Sequence, residues 1–256
     1  MLDVANVGDI RVATLNRTER RNALSNDLLK LVQDAITASP APRVMILQAM
    51  IDAPTWSAGH DISEIPTDGR DPLSWSNPLE HTLRVIEHAP FPIIAAVHGG
   101  VWGGACDLVM TCDLVVTAKD ATFAITPTKL GVPYNAFGIG HFLSAMPVHI
   151  AKQMFFTAEP ITALQAHQWG IANVLCDDAT AAQREAFELA GIIASRAPLS
   201  VQAIKAEFNA LSGPPPQTVE TSEYLTALRR DAWESNDLKE GIRAFMEKRR
   251  PTFTGE

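Results

Sequence analysis

Four glycines, Gly99, Gly100, Gly103 and Gly104, with Asp107 close behind, interrupt an apolar stretch, FPIIAAVHGGVWGGACDLVMTCD, at residues 91–113. Such a set suits anion binding. The first turn of a helix carries unpaired N–H groups at the positive end of its dipole, and a residue without Cβ lets a ligand oxygen approach them. The candidate donor is the Gly104 N–H. Close packing of a strand on a helix would call for the same glycines, and spacing alone does not separate the two readings. Phe91 to Val97 is short, β-branched-rich and preceded by proline, as a buried strand would be. From Gly103 onward Ala105, Leu108, Val109 and Cys112 recur at helical spacing, which predicts a helix beginning near Gly103.

Other chemistries lack sequence support. There is no GxSxG, GxxxxGK[ST] or HExxH, and neither glycine cluster fits GxGxxG, so hydrolase triads, phosphate-binding loops and dinucleotide sites are not indicated. The seven histidines are scattered, which argues against a metal site. The three cysteines, Cys106, Cys112 and Cys176, form no CxxC pair and read as small core residues of a reducing compartment, not as disulfides or zinc ligands. What remains is a reaction run by backbone donors.

An alternation of strands and helices must hold these donors. Val12–Leu15 reads as a strand, and Ser25 as the cap of a helix through Leu28, Leu31, Val32, Ala35 and Ile36. Arg43–Leu47 is the next strand. It leads into an irregular loop, Ala53–Pro66 (APTWSAGHDISEIP), of the small and polar kind that carries ligand groups at strand ends in α/β folds. Residues 69–78 (GRDPLSWSNP) show no periodicity and read as a surface loop or lid. Leu83–His88 is helical in pattern, and Leu114–Thr117 and Thr122–Ile125 are short strands. Residues 126–142 read as a second glycine- and proline-punctuated loop, with helix from Gly140 onward. ITALQAHQWGIANVL, after Pro160, is a helix followed by a short strand. Helical pattern then continues, broken at Ala197–Pro198 and at the GPPP of residues 213–216, and Val219–Arg249 forms two amphipathic helices.

A chain of 256 residues can bury a full core. Its amino terminus lacks a basic start and a continuous apolar segment, and no run approaches the roughly 20 apolar residues needed to span a bilayer. We expect a cytoplasmic protein with no membrane partner. A net charge of −8 argues against nucleic acid as partner, although Lys248, Arg249 and Arg250 could meet a phosphate-bearing ligand.

WSAGHDI (56–62), IAAVHGGVWGGACDL (94–108), CDLVVTAKDATFAI (112–125) and GIRAFMEKRRPTF (241–253) resemble the crotonase, or enoyl-CoA hydratase/isomerase, superfamily over nearly the whole chain. The resemblance implies an α/β fold: a spiral of ββα turns over residues 1–195 that carries an acyl-CoA site, then a C-terminal helical trimerisation region at 196–256, in a homo-trimer or homo-hexamer. It also implies an oxyanion hole for the thioester built from the N–H groups of His60 and Gly104. Ala58, Gly59, His60, Asp61 and Ile62 should run beside the CoA moiety, and Phe245 and Lys248 match tail positions that reach the nucleotide, often from a neighbouring subunit. A basic residue common just before the first motif is missing here, where Pro54 and Thr55 stand.

Two further departures bear on the reaction. Hydration of a C=C bond needs an acid and a base about one water, which family hydratases supply as two glutamates. At the first place this chain has Asp107, and at the second, in TPTKLG, Thr128, which cannot serve as a carboxylate base. A hole that survives without the pair suits an enolate formed by loss of CO2. SAGHDISEIPTDGRDPLS, VWGGA, TPTKLGVPYN and EKRRPTFTG resemble bacterial members of the family that decarboxylate methylmalonyl-CoA to propionyl-CoA. In those, the histidine and tyrosine at the places of His60 and Tyr134 line the reacting carboxylate. The expected enzyme is a carboxy-lyase without cofactor or metal, because the thioester is its own electron sink. Thr126 is a candidate substrate contact or a structural strand-end threonine, and Asp107 either orients groups at the helix start or is a remnant of the acid. Hydration, isomerisation or thioester hydrolysis, and a catalytically inactive acyl-CoA-binding protein, stand as alternatives.

Overall fold

The chain opens with an antiparallel hairpin, β1 (Leu2–Val7) and β2 (Ile10–Leu15), and then α1 (Asn26–Thr37), capped by the Ser25 side chain on the Leu28 N–H. The next turns repeat one order: a strand, a shorter strand, then a helix. These are β3 (Val44–Ala49), β4 (Thr55–Ser57) and α2 (Pro78–Glu87); β5 (Ile93–Val97), β6 (Gly100–Trp102) and α3 (Gly104–Thr111); and β7 (Leu114–Ala118), β8 (Thr122–Ala124) and α4 (Ala136–Ala145). The computed structural model describes residues 1–66, 68–212 and 219–255.

First strands of successive turns pair in parallel, giving, with β10 (Val174–Cys176) at the far edge, a six-stranded sheet in the order β1-β2-β3-β5-β7-β10. Second strands stack alongside and, with β9 (Ile161–Thr162) added antiparallel to β8, form a four-stranded sheet, β4-β6-β8-β9. The result is an α/β spiral in which each turn's second strand delivers the chain to one shared edge. After α5 (Val148–Thr157), β9 (Ile161–Thr162) and α6 (Ala163–Gln168) lead to β10 (Val174–Cys176) and α7 (Ala179–Ala194). Ala182, Ala186 and Ala190 recur every four residues on α7 and pack it on the large sheet; α1, α2 and α3 bury the opposite face.

Three helices follow: α8 (Pro198–Ser212), α9 (Val219–Glu234) and α10 (Asn236–Met246). The GPPP segment, read as a break, lies outside the described residues. Lys205 pins α8 to the spiral: its Nζ donates to the Ile86 and Phe91 carbonyls and to Asp113 Oδ2 at 3.0, 3.1 and 2.8 Å. From α9, Arg229 pairs with both Asp71 oxygens and the Trp233 indole donates to the Gly69 carbonyl, so the tail clasps the loop of residues 69–78.

Three local expectations are corrected. The loop Ala53–Pro66 contains β4, a strand of only three residues whose pattern is too short to read. Helix α2 starts at Pro78, ahead of Leu83, because Asn77 caps the Leu79 N–H and proline suits the first helical position. Residues 126–142 are not loop throughout: Asn135 accepts from the Gly138 N–H at 2.6 Å and starts α4 at Ala136. The glycines that suggested a loop answer a packing need, since a Cβ on Gly138 would lie 2.4 Å from the Tyr134 ring and 2.9 Å from Asp107 Oδ2.

Candidate active site

Two loops meet where the small sheet ends. The one after β4 turns at Gly59, whose φ of +88° is open to glycine, and a Cβ there would strike the Trp102 carbonyl at 2.3 Å and come within 3.3 Å of the Gly104 nitrogen. Either collision would separate the loops. The flanking residues of His60 bond to Leu24: the Leu24 N–H donates to the Gly59 carbonyl at 2.8 Å and the Asp61 N–H to the Leu24 carbonyl at 3.2 Å. In such a parallel bridge the middle residue's N–H points the other way, and that of His60 has no acceptor among the described residues.

The second loop follows β6. Gly103, at φ +55°, donates to the Ala124 carbonyl at 2.8 Å and reverses the chain so that α3 begins at Gly104. The Gly104 N–H, one of the unpaired first-turn donors, likewise has no acceptor among the described residues. A Cβ on Gly104 would sit 3.7 Å from the His60 nitrogen, so both free donors belong to one small space.

That space is a narrow pocket of about 60 Å³, bordered by Ala58, His60, Ile62, Gly103, Gly104, Thr126 and Tyr134, with Pro72 and Leu73 of the lid loop and Leu79 of α2. No carboxylate lines it. Gly59 lies buried beneath it, and Asp61 turns away to bind Ser63 and Arg17, bonds that hold its carboxyl below the usual range despite the opposing effect of burial. Burial pulls the His60 pKa down, against the opposing pull of Asp61, and its Nδ1 has no partner among the described residues. Thr128 faces elsewhere, its hydroxyl donating to the Phe155 carbonyl at 3.1 Å. Phe245 and Lys248 sit exposed near the end of α10, apart from the pocket lining.

Behind the pocket wall lies a polar cluster that the sequence shows only in part. Tyr134 packs on Phe142 and Phe155 and donates its hydroxyl to Asp107 Oδ2 at 2.6 Å. The second Asp107 oxygen meets His141 Nδ1, also at 2.6 Å, and the aspartate side chain is only 1% exposed. Burial first, and then the Asp107 charge, keep the tyrosine protonated well above the ordinary range. Glu80, 2% exposed on α2, accepts from Asn135 at 2.8 Å; burial raises its pKa to about 7 against the lowering effect of that bond. Glu80 and His141 escaped the sequence reading. Their signals were a glutamate between Leu79 and Leu83 on the apolar face of a helix, and a histidine one turn beyond Gly138.

Among the described residues no three His, Cys, Asp or Glu side chains gather as metal ligands, and no helix is long and apolar enough to cross a membrane. The backbone nitrogens of His60 and Gly104 thus border one small pocket whose lining holds no carboxylate, so no general-base pair faces it.

Comparison with known proteins agrees with this geometry. A family model described as enoyl-CoA hydratase/isomerase matches residues 6–256. The chain is 38% identical to methylmalonyl-CoA decarboxylase of Escherichia coli (strain K12) over 260 residues, 99% of this chain and 98% of that protein. It is 32% identical to the mitochondrial enoyl-CoA hydratase domain-containing protein 3 of Homo sapiens, over 96% of this chain and 81% of that protein. A solved structure of methylmalonyl-CoA decarboxylase in complex with 2-nitronate-propionyl-CoA matches with a TM-score of 0.94 at 38% identity, covering 100% of this chain and 98% of that one.

Proposed function

The chain belongs to the enoyl-CoA hydratase/isomerase family, and on that premise we propose that it decarboxylates methylmalonyl-CoA to propionyl-CoA through a thioester enolate. What supports this is the pocket itself: His60 and Gly104, whose N–H groups have no acceptor among the described residues, both line it, and its lining contains no carboxylate. With the thioester oxygen between the two donors, the bond from the α-carbon to the carboxylate breaks and CO2 leaves. The electron pair moves into the thioester as an enolate, and a proton then adds to the α-carbon. Negative charge migrates from the carboxylate to the thioester oxygen, where the donors wait, so they bind the transition state more tightly than the substrate. Each such donor is worth about 100-fold to 1,000-fold in rate. No cofactor is called for, because the thioester accepts the electrons.

Tyr134 commits its hydrogen to Asp107 and borders the pocket as a fixed wall, which would turn the leaving carboxylate out of the thioester plane and into alignment with the carbonyl π-system. Hydration, isomerisation and thioester hydrolysis would draw on Asp107, but both of its oxygens are occupied behind that wall. The solvent-facing apolar residues of α8, Leu199, Phe208 and Leu211, support assembly as a homo-trimer or homo-hexamer, which light scattering would measure.

The deciding experiment is incubation with methylmalonyl-CoA, following CO2 and propionyl-CoA. Brisk hydration of crotonyl-CoA without CO2 release would overturn the assignment, and tight thioester binding without any turnover would point to the inactive binder.

A further inference from the structure

We propose that His141 is a positioning residue for the carboxylated substrate: clamped on Asp107 directly behind Tyr134, it cancels that carboxylate's charge and fixes the tyrosine hydroxyl at the pocket wall. The inference rests on the decarboxylase reading, since it concerns how the site admits a thioester that carries its own carboxylate.

The chain of contacts runs Tyr134 Oη to Asp107 Oδ2, then Asp107 Oδ1 to His141 Nδ1, each at 2.6 Å. Because the Tyr134 hydroxyl gives its one hydrogen to Asp107, a substrate carboxylate against that side chain would stand in van der Waals contact beyond a 2.6 Å bond, about 5 to 6 Å from the Asp107 oxygen. At that range, with little water between, an uncompensated aspartate would oppose the substrate by a factor of about 100. His141 is the only cation within salt-bridge distance of Asp107 among the described residues. Its ring is 9% exposed and packs 4.6 Å from that of Phe137, and its Nε2 has no other partner, so Asp107 is its sole ionic contact. Burial lowers the basicity of His141, but Asp107, with smaller help from Glu87 and Glu80, more than reverses this and favours the imidazolium.

Local structure holds the arrangement in place. Asn135 caps α4 through its carbonyl and gives its amide to Glu80 and to the Leu73 carbonyl of the lid loop. Gly138 then clears the space through which Asp107 reaches Tyr134, and His141 follows three residues later on the same face. Asp107 and His141 are one charge-neutral unit. Asp107 alone would aim the tyrosine while repelling the substrate.

The test compares ligands that differ in one carboxylate. Methylmalonyl-CoA affinity is read as KM from initial rates, with kcat alongside, and propionyl-CoA binding is measured by calorimetry, for the wild type, His141→Gln and the Asp107→Asn/His141→Gln double variant. Expected for His141→Gln is a loss of about 10-fold to 100-fold for methylmalonyl-CoA, with propionyl-CoA affinity changed by less than about threefold. Retained propionyl-CoA binding also shows that the variant folds. In the double variant, removing the exposed charge should restore methylmalonyl-CoA binding to within about fivefold of wild type. Equal loss of both ligands in His141→Gln, or an additive further loss in the double variant, would mean that His141 only supports the fold. Absence of methylmalonyl-CoA turnover by the wild type would overturn the decarboxylase reading, and the His141 proposal with it.

Discussion

Glu80 offers a prediction in which function and stability separate. Its carboxyl is 2% exposed and holds its proton to about pH 7, against 4.5 for the same group in an unfolded chain. A group whose folded pKa is raised contributes stability that is complete below the unfolded value and lost as pH rises through the folded one. At about 1.4 kcal/mol per tenfold change in proton affinity, the interval from 4.5 to about 7 corresponds to about 3 kcal/mol. Glu80→Gln keeps an oxygen for the Asn135 amide and removes the titration. Relative to wild type, the variant should therefore gain about 2 to 3 kcal/mol between pH 5 and pH 8, whatever the constant cost of the amide. Urea unfolding at the two pH values, at one protein concentration because assembly would couple to stability, reads the difference. A wild-type-to-variant difference that stays the same at both pH values would refute the reasoning, since it would mean that Glu80 titrates normally in the folded protein.

Tyr134→Phe should lower kcat on methylmalonyl-CoA by about 10-fold to 100-fold, because the pocket wall loses its oxygen and Asp107 Oδ2 its donor. Thr128→Ala should cost only about 1 kcal/mol in thermal unfolding and leave kcat near wild type, as its hydroxyl serves the Phe155 carbonyl. Gly59→Ala should destabilise by more than about 2 kcal/mol and abolish turnover, since a methyl 2.3 Å from the Trp102 carbonyl displaces His60. Gly8→Ala, at φ +60° with nothing within 4 Å, is the matched control in the same melt and should show backbone strain alone. Arg229→Gln, which releases Asp71 and loosens the lid loop, should raise KM by about threefold or more while kcat falls less, as read from initial rates.

Much of this was legible before any coordinates, for reasons that differ by residue. Long-period features were plain. The β5 strand, the helix starting at the glycine pair and the Ser25 cap each combine a run of apolar residues with a local backbone signal, and both are encoded in neighbouring positions. Features set by distant contacts were not. β4 is a strand because β6 pairs with it, and Gly138 is a glycine inside α4 because it faces Tyr134 and Asp107, which masks the helix start that Asn135 caps. In the site, resemblance pointed to His60 and Gly104, while the reason their N–H groups are free, the Leu24 bridge and the reversal at Gly103, is tertiary. Glu80 and His141 fell into the gap between the two kinds of signal. They are polar residues on buried helix faces, whose partners lie 55 and 34 positions away.

Asp107 shows how a carboxylate on the first turn of a helix can change its work through its neighbours. On the first turn of α3 it stands where an acid could reach a substrate, and a free carboxylate there would favour proton chemistry. Here both oxygens are taken, one by a phenol and one by an imidazole, and its exposure is 1%. Such a carboxylate is engaged on both oxygens and is not part of the pocket lining where a water or an α-proton would meet it. What it can still do is hold Tyr134 rigidly, and a rigid wall helps only a reaction limited by orientation of the breaking bond. Decarboxylation of a thioester, the proposed reaction, is of that kind: the electron sink is built into the substrate, the proposed oxyanion donors border the pocket, and the remaining demand is that the carboxylate stand perpendicular to the carbonyl plane. Replacing Tyr134 should therefore cost more in kcat than in substrate affinity, and equal losses in both would return Asp107 to the role of an acid.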